Sequence, residues 1–181
     1  MKKLKKLLVV LFATLSFASV KIFANPIDYN SSVGFHYMLS SGFINYGLQY
    51  QHWFTDKIGL TTEGMIYYST SSSYSNPTFS ANVNAEFDFM LFSAAFSEHT
   101  GMQLYTFLEA GYLGGLDNYY DSKIGAYEST FYNNLITAVG FTAEFDFFEH
   151  ISIPLKFGFG GKLPYNASVG FVFGSGIKFL F

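Results

Sequence analysis

The sequence has 181 residues, enough for one domain, and no cysteine, which excludes a disulfide framework and a lipid-modified cysteine. Charged residues make up only 13% of the chain, whereas Phe, Tyr and Trp make up 21%. Nucleic-acid binding needs clustered Lys and Arg, and the chain has 10 Lys and no Arg against 13 Asp and Glu. We therefore expect no nucleic-acid partner.

The first 24 residues have the pattern of a secretory signal peptide. A basic start is followed by an apolar run at 7–20 and by the small residue Ala24, after which we predict cleavage. The apolar run has 14 residues, too few for a transmembrane helix, which needs about 20. Cleavage would leave a domain of residues 25–181 with a net charge of −8, because five of the Lys precede Ala24. No later run of apolar residues is long enough for a spanning helix, so a membrane location would require a closed barrel.

Alternation of apolar and polar residues predicts eight strands after the signal peptide. Tight turns are predicted at 55–56 and 148–150, and longer loops at 69–78, 114–129 and 161–166. Residues 92–101 do not alternate and are assigned to a turn. The predicted strands cover residues 31–39, 43–54, 57–68, 79–91, 102–113, 130–147, 151–160 and a final run that alternates up to Phe181.

One face of every predicted strand is apolar, and the charged residues fall on the other face. Charge facing lipid would cost a few kcal/mol, and a soluble barrel would place its charges outside instead. The sequence therefore predicts an all-β fold, an eight-stranded antiparallel up-and-down transmembrane β-barrel. We expect its lumen to hold a polar network: Glu63, Glu86, Asp88, Glu109, Glu144, Asp146, Lys156 and Lys178. Lys57 is also assigned to the inner face.

Four strands that run in the same direction end in aromatic residues, which predicts an aromatic girdle at one membrane interface. Trp53 and Phe54 end the second strand, and Phe179 and Phe181 end the last. Short turns lie at this end and longer loops at the other. Because short turns of such barrels face the periplasm, both termini are predicted to be periplasmic.

The signal peptide, the eight alternating strands and the terminal Phe resemble the small eight-stranded outer-membrane barrels of the OmpX, OmpA-domain and OmpW types. The resemblance covers residues 25–181 and selects no subfamily. It implies an assembly signal at Gly176, Phe179 and Phe181, read by the barrel-assembly machinery, although Gly174 stands where a polar residue is usual. It also implies outer-membrane lipid as the surroundings and a monomeric protein.

The inward carboxylates have two interpretations. Pairs such as Glu86 with Asp88 and Glu144 with Asp146 are suited to Ca²⁺ binding or acid–base chemistry. The favoured interpretation is a structural plug without metal or cofactor, because an eight-stranded barrel is filled by side chains. The register predicts that Lys156 lies diagonally opposite Glu144 and pairs with it.

Catalysis is not expected. Of the four His, we assign His36 to the lumen and place His52, His99 and His150 near the periplasmic end, away from the outer rim where barrel enzymes carry their catalytic groups. The leading hypothesis is a non-enzymatic surface scaffold or adhesin that contacts an extracellular or host ligand through loops 69–78 and 114–129. The alternative is an OmpW-like route for small hydrophobic molecules, favoured by Met65, Tyr105 and Phe107 inside the barrel.

Overall fold

A computed structural model describes residues 29–40, 43–69, 78–97, 99–121, 123–148, 150–164 and 167–181. These residues form eight strands joined in one closed antiparallel ring, each paired with its neighbours in sequence, and the first paired with the last. The predicted fold class is thus confirmed. The strands are β1 (Ser31–Ser40), β2 (Phe43–Trp53), β3 (Ile58–Ser69), β4 (Thr78–Ser97), β5 (Thr100–Asp121), β6 (Ala126–Phe147), β7 (Ile151–Pro164) and β8 (Ser168–Leu180). The predicted signal peptide and most of loop 69–78 lie outside the described residues. Among those that are described, no helix is long and apolar enough to cross a bilayer.

The ring closes where β1 meets β8. The register runs from Ser32 opposite Leu180 to Ser40 opposite Val172. Beyond it, the amide of Phe181 donates to the carbonyl of Ser31 at 2.9 Å, and the amide of Ser31 donates to the carbonyl of Phe181 at 3.2 Å. Closure leaves these two strands without an open edge.

The outer wall is apolar and the interior is charged. Side chains such as Leu48, Val83 and Phe171, which are 63%, 68% and 75% exposed, form the outer wall. All eight charged residues predicted to face inward are at most 3% exposed. This distribution is the one that a bilayer requires of a barrel, because polar groups are hidden from hydrocarbon.

Lys57 does not follow this pattern, and its inward assignment is wrong. β3 begins at Ile58, so Lys57 lies in the exposed turn from β2, where its amide donates to Thr55. The hydroxyl of Thr55 also accepts from the amide of Ile58 at 3.1 Å. A turn residue does not continue the alternation of the strand that follows it.

Residues 92–101 are not a ten-residue turn. β4 continues to Ser97 and β5 begins at Thr100. The register between these strands shifts between Met90 and Phe92 and again between Ala95 and Ser97. Each shift adds one residue on β4, so the residues that follow it point to the opposite face of the strand. The alternation in the sequence is therefore lost although the strands remain paired.

The predicted loop 114–129 is largely a paired hairpin. β5 and β6 continue in register up to the pair of Asp121 with Ala126, and Gly125 in the turn has a φ of 67°, which favours glycine. Beyond Leu116, the register of β5 with β4 has ended, and β6 pairs with β7 only from Asn134 onward. We call residues 117–121 and 126–133 the outer ribbon; within the described chain residues 117–121 pair only with 126–130, and residues 131–133 pair only with β5.

Candidate functional site

The lumen is packed by large side chains that lie over glycines of neighbouring strands. Phe107 on β5 is 1% exposed and lies against Gly140 on β6 and Gly158 on β7. A Cβ atom at Gly140 would come within 2.9 Å of the Phe107 ring and closer still to the backbone of β7. His36 lies in the same way over Gly174. The inward glycines therefore provide the room that these residues fill.

Lys156 is the centre of one ion cluster. Its ammonium donates to Glu86 and to Glu109, the latter at 2.7 Å, and lies 3.5 Å from Glu63. His36 Nδ1 lies 3.2 Å from the same carboxylate of Glu63. These residues come from β1, β3, β4, β5 and β7, so the cluster joins strands that are far apart around the ring. The ammonium also lies 4.5 Å from the centre of the Phe107 ring.

Lys178 is the centre of a second cluster. Its ammonium donates to Glu144 and, at 2.6 Å, to the amide oxygen of Gln51. Glu144 also accepts from Tyr105 at 2.8 Å and from Ser152. The predicted pair of Lys156 with Glu144 is not formed. In this narrow lumen the side chain of Lys156 crosses to β4 and β5, and Lys178 takes the place that the register alone assigned to Lys156.

Asp88 and Asp146, the remaining charged residues of the predicted network, are held by neutral donors. Asp88 accepts from Thr61 at 2.7 Å and from Gln51 at 2.9 Å. Asp146 accepts from Gln103 at 3.2 Å. Gln51 therefore links Asp88 to the Lys178 cluster. The structure thus brings all eight residues into the lumen, with six carboxylates for two ammonium groups.

Trp53 closes the end of the lumen near the chain termini. Its ring meets the Tyr105 ring edge-on, with centroids 5.4 Å apart, and covers Gly59. The prediction that Trp53 belongs to the interfacial girdle is wrong, because Trp53 follows the inward face of β2. Phe54, the next residue, is 60% exposed and remains available for an interface.

The described interior also contains a small apolar cluster. Its buried members are Met38, Met65, Phe107, Ala138 and Val172. Phe107 belongs both to this cluster and, through its ring, to the surroundings of Lys156. The apolar side chains therefore pack against the ion clusters and continue the plug.

The described residues do not contain a group of three or more His, Asp and Glu placed to hold a metal ion. One feature typical of catalysis was missed from the sequence, a pair in which Ser31 Oγ lies 2.8 Å from His52 Nδ1. The ring of His52 also contacts the Phe54 ring, with centroids 4.9 Å apart. Nucleophilic catalysis by a serine needs a third group that orients the His, and among the described residues the contacts of His52 are with Ser31 and Phe54, neither of which is a carboxylate. A cross-strand pair in β1 and β2 can be found only once the register is known.

The comparisons with known proteins agree with this architecture. No family model and no curated protein matches the chain. The N-terminal β-barrel domain of Pseudomonas aeruginosa OprF matches over 84% of this chain and 98% of that one, with 15% identity and a TM-score of 0.52. The attachment invasion locus protein Ail of Yersinia pestis matches over 83% and 96%, with 14% identity and a TM-score of 0.46. Neisserial surface protein A matches over 83% and 94%, with 11% identity and a TM-score of 0.39.

At such low identity these matches describe the fold alone, and of these three the match to OprF has a TM-score above 0.5. It agrees with the closed ring of eight strands. The chain therefore has the fold of the small eight-stranded outer-membrane β-barrels.

Proposed function

We propose that this chain is a non-enzymatic protein of the bacterial outer membrane that binds an extracellular partner through its outer ribbon. The ribbon carries the proposal, because β5 and β6 each have 22 residues, whereas about 9–11 suffice to span a bilayer. The additional residues of these two strands extend from the end of the barrel opposite the chain termini. With the short turns in the periplasm, both termini are periplasmic and the ribbon extends outward.

The ribbon has two properties of a binding surface. Its backbone edges lie beyond the ends of the pairing with β4 and β7, and an open edge can accept a further strand. Residues 117–133 also contain four Tyr, a residue that supplies contact area at low entropic cost in binding loops. Phe131 is 61% exposed on its outward side.

Charge indicates what kind of partner would fit. The same residues contain Asp117, Asp121 and Glu128 but only one cation, Lys123. An acidic strand edge attracts a basic, extended segment and repels a polyanion. The proposed partner is therefore a protein with an extended basic segment. Loop 69–78, which the sequence also suggests for binding, lies mostly outside the described residues.

The test uses the folded barrel in detergent and labelled eight-residue peptides that alternate Lys or Glu with Val. We expect the Lys–Val peptide to bind and the Glu–Val peptide not to bind. A variant with residues 118–129 replaced by Asn-Gly, which keeps the pair of Asp117 with Thr130, should lose at least tenfold in affinity. A Lys–Val peptide methylated on alternate backbone nitrogens should also bind weakly, because it cannot pair as a strand. Equal binding by the wild type and the shortened variant would overturn the proposal.

A second function, the passage of small hydrophobic molecules, is favoured by the apolar cluster around Met65 and Phe107. Two observations argue against this function. The Phe107 ring packs on two glycines and contacts the Lys156 ammonium, and Tyr105 donates a hydrogen bond to Glu144. These side chains are therefore packing elements of the plug. Planar-bilayer recordings with and without a hydrophobic solute distinguish the two functions, since a plugged barrel gives no reproducible conductance and a transport route responds to the solute.

We also propose that Gly176, Phe179 and Phe181 form the assembly signal. Phe179 and Phe181 are 52% and 59% exposed on the outer wall. A Cβ atom at Gly176 would come within 2.2 Å of the carbonyl of Phe35 on β1. The two aromatic side chains are thus accessible to an assembly factor, whereas Gly176 is required by the contact between β8 and β1.

A further inference from the structure

A groove of about 480 Å³ lies in the outer wall over β5–β8, away from the ribbon. Ala138 and Gly160, which lie on the inward face of their strands, also line it, as do Lys162 and Ser168. Its walls are large apolar side chains that point away from the lumen and are 54–83% exposed: Leu108, Leu135, Val139, Phe159, Leu163 and Val169. Its volume falls within the range of about 300–1,000 Å³ that is typical of sites for small ligands.

The register explains why the wall is indented here. Thr137 on β6 is opposite Gly161 on β7, and both line the groove. Two residues away along the strands, the pairs on either side are large: Leu135 with Leu163, and Val139 with Phe159. A small pair between two large pairs leaves a depression that a side chain of ordinary size would fill.

One end of the groove is bounded by a pair of aromatic rings in contact. Phe159 on β7 and Phe171 on β8 have centroids 4.3 Å apart, with their planes inclined by 40°. The next outward pair along these strands, Phe157 and Phe173, has centroids 5.1 Å apart. Because cross-strand aromatic pairs restrain each other, this boundary is more rigid than one built from single aliphatic side chains.

We propose that this groove binds one acyl chain of a membrane lipid. The groove is continuous with the lipid-facing wall, so hydrocarbon chains are what it meets in the bilayer. Transfer of a chain from lipid to an apolar groove gains little from the hydrophobic effect, because the bilayer is equally apolar. Preference for the groove comes from close packing against walls on both sides of the chain, which an even wall cannot provide.

The test compares two exposed threonines of the outer wall. Thr137→Phe fills the groove, whereas Thr62→Phe makes the same change on β3, away from it. The full chain, folded in nanodiscs of dipalmitoyl phosphatidylglycerol, is released into native mass spectrometry, and the fraction that retains one lipid is measured. A heat-modifiable gel shift establishes that each variant is folded.

We expect the wild type and Thr62→Phe to retain one lipid to the same extent, and Thr137→Phe to retain it at least fivefold less. Equal retention in all three proteins, or a wild type that releases every lipid, would overturn the proposal. This outcome does not depend on the outer ribbon, so it leaves the proposed partner binding unaffected.

Discussion

Lys178 on β8 and Glu144 on β6 form an ion pair across the strand that lies between them. β7 contributes Ser152 to the same carboxylate and is opposite Lys178 in the register. Contacts of this kind connect strands that do not share backbone hydrogen bonds. The contribution of the lumen side chains to the stability of the barrel therefore depends on contacts that cannot be read from the strand pairing.

A double-mutant cycle tests which ammonium serves Glu144. For Lys178→Met combined with Glu144→Gln, we expect a coupling of more than about 1 kcal/mol in the free energy of unfolding, measured by urea titration in lipid. For Lys156→Met combined with Glu144→Gln, the coupling should stay below about 0.5 kcal/mol, because no direct pair exists. The reverse order would show that the sequence-based pair was correct.

Removal of Lys156 should be among the costliest single changes. Lys156→Met leaves Glu63, Glu86 and Glu109 around a site without a cation, and breaking a buried pair from one side typically costs about 3–5 kcal/mol. Urea unfolding of the variant, with Lys57→Met in the exposed turn as control, measures this cost. Adding Glu86→Gln should recover part of the loss. A cost equal to that of the control would mean that the cluster does not stabilise the barrel.

Two glycines should respond in opposite ways to the same substitution. A Cβ atom at Gly140 would lie 2.0 Å from the carbonyl oxygen of Phe157 and 2.9 Å from the Phe107 ring, whereas one at Gly64 would meet nothing within 4 Å. We expect Gly140→Ala to destabilise the barrel by about 1–3 kcal/mol through overpacking. Gly64→Ala should be neutral or stabilise it by about 0.5–1 kcal/mol. Thermal unfolding in detergent compares the two, and similar midpoints would contradict the packing described for Phe107.

Trp53 is the only Trp in the sequence, so the tryptophan fluorescence of the protein depends on the surroundings of this one side chain. Because its ring packs on Tyr105 inside the barrel, lipids brominated on their acyl chains should quench its fluorescence weakly. The matched control is Trp53→Phe with Phe54→Trp, which moves the indole to a position that is 60% exposed in the wild type and should be quenched strongly. Strong quenching in the wild type would return Trp53 to the girdle.

The proposed assembly signal predicts a kinetic defect without a loss of equilibrium stability. Phe181→Ala removes an exposed ring while the backbone bonds to Ser31 remain, so the urea midpoint should change little. The rate of assembly by purified barrel-assembly machinery should fall several-fold. Phe171→Ala, at a position that is 75% exposed and lies outside the signal, serves as control, and an equal effect of both substitutions would argue against a specific signal.

The number of strands and the two faces of each strand could be predicted because the alternation of apolar and polar residues indicates which side of a strand faces lipid. The ends of β4, β5 and β6 could not. Near Met90 and Ala95 the register shifts interrupt the alternation, and the outer ribbon extends beyond the part of the chain that the bilayer constrains. The partners of Lys156 were also missed, since a side chain that crosses a lumen leaves no mark in the spacing along one strand.

Lys178 also has a consequence for how the barrel forms. It enters the lumen only when β8 joins β1 and β7, and it brings the ammonium that Glu144 requires. A sheet that entered hydrocarbon before this step would carry an unneutralised carboxylate, which is costly at that depth. Closure of the ring and the supply of an ammonium group to Glu144 are therefore a single event, and intermediates that lack β8 are disfavoured in the membrane.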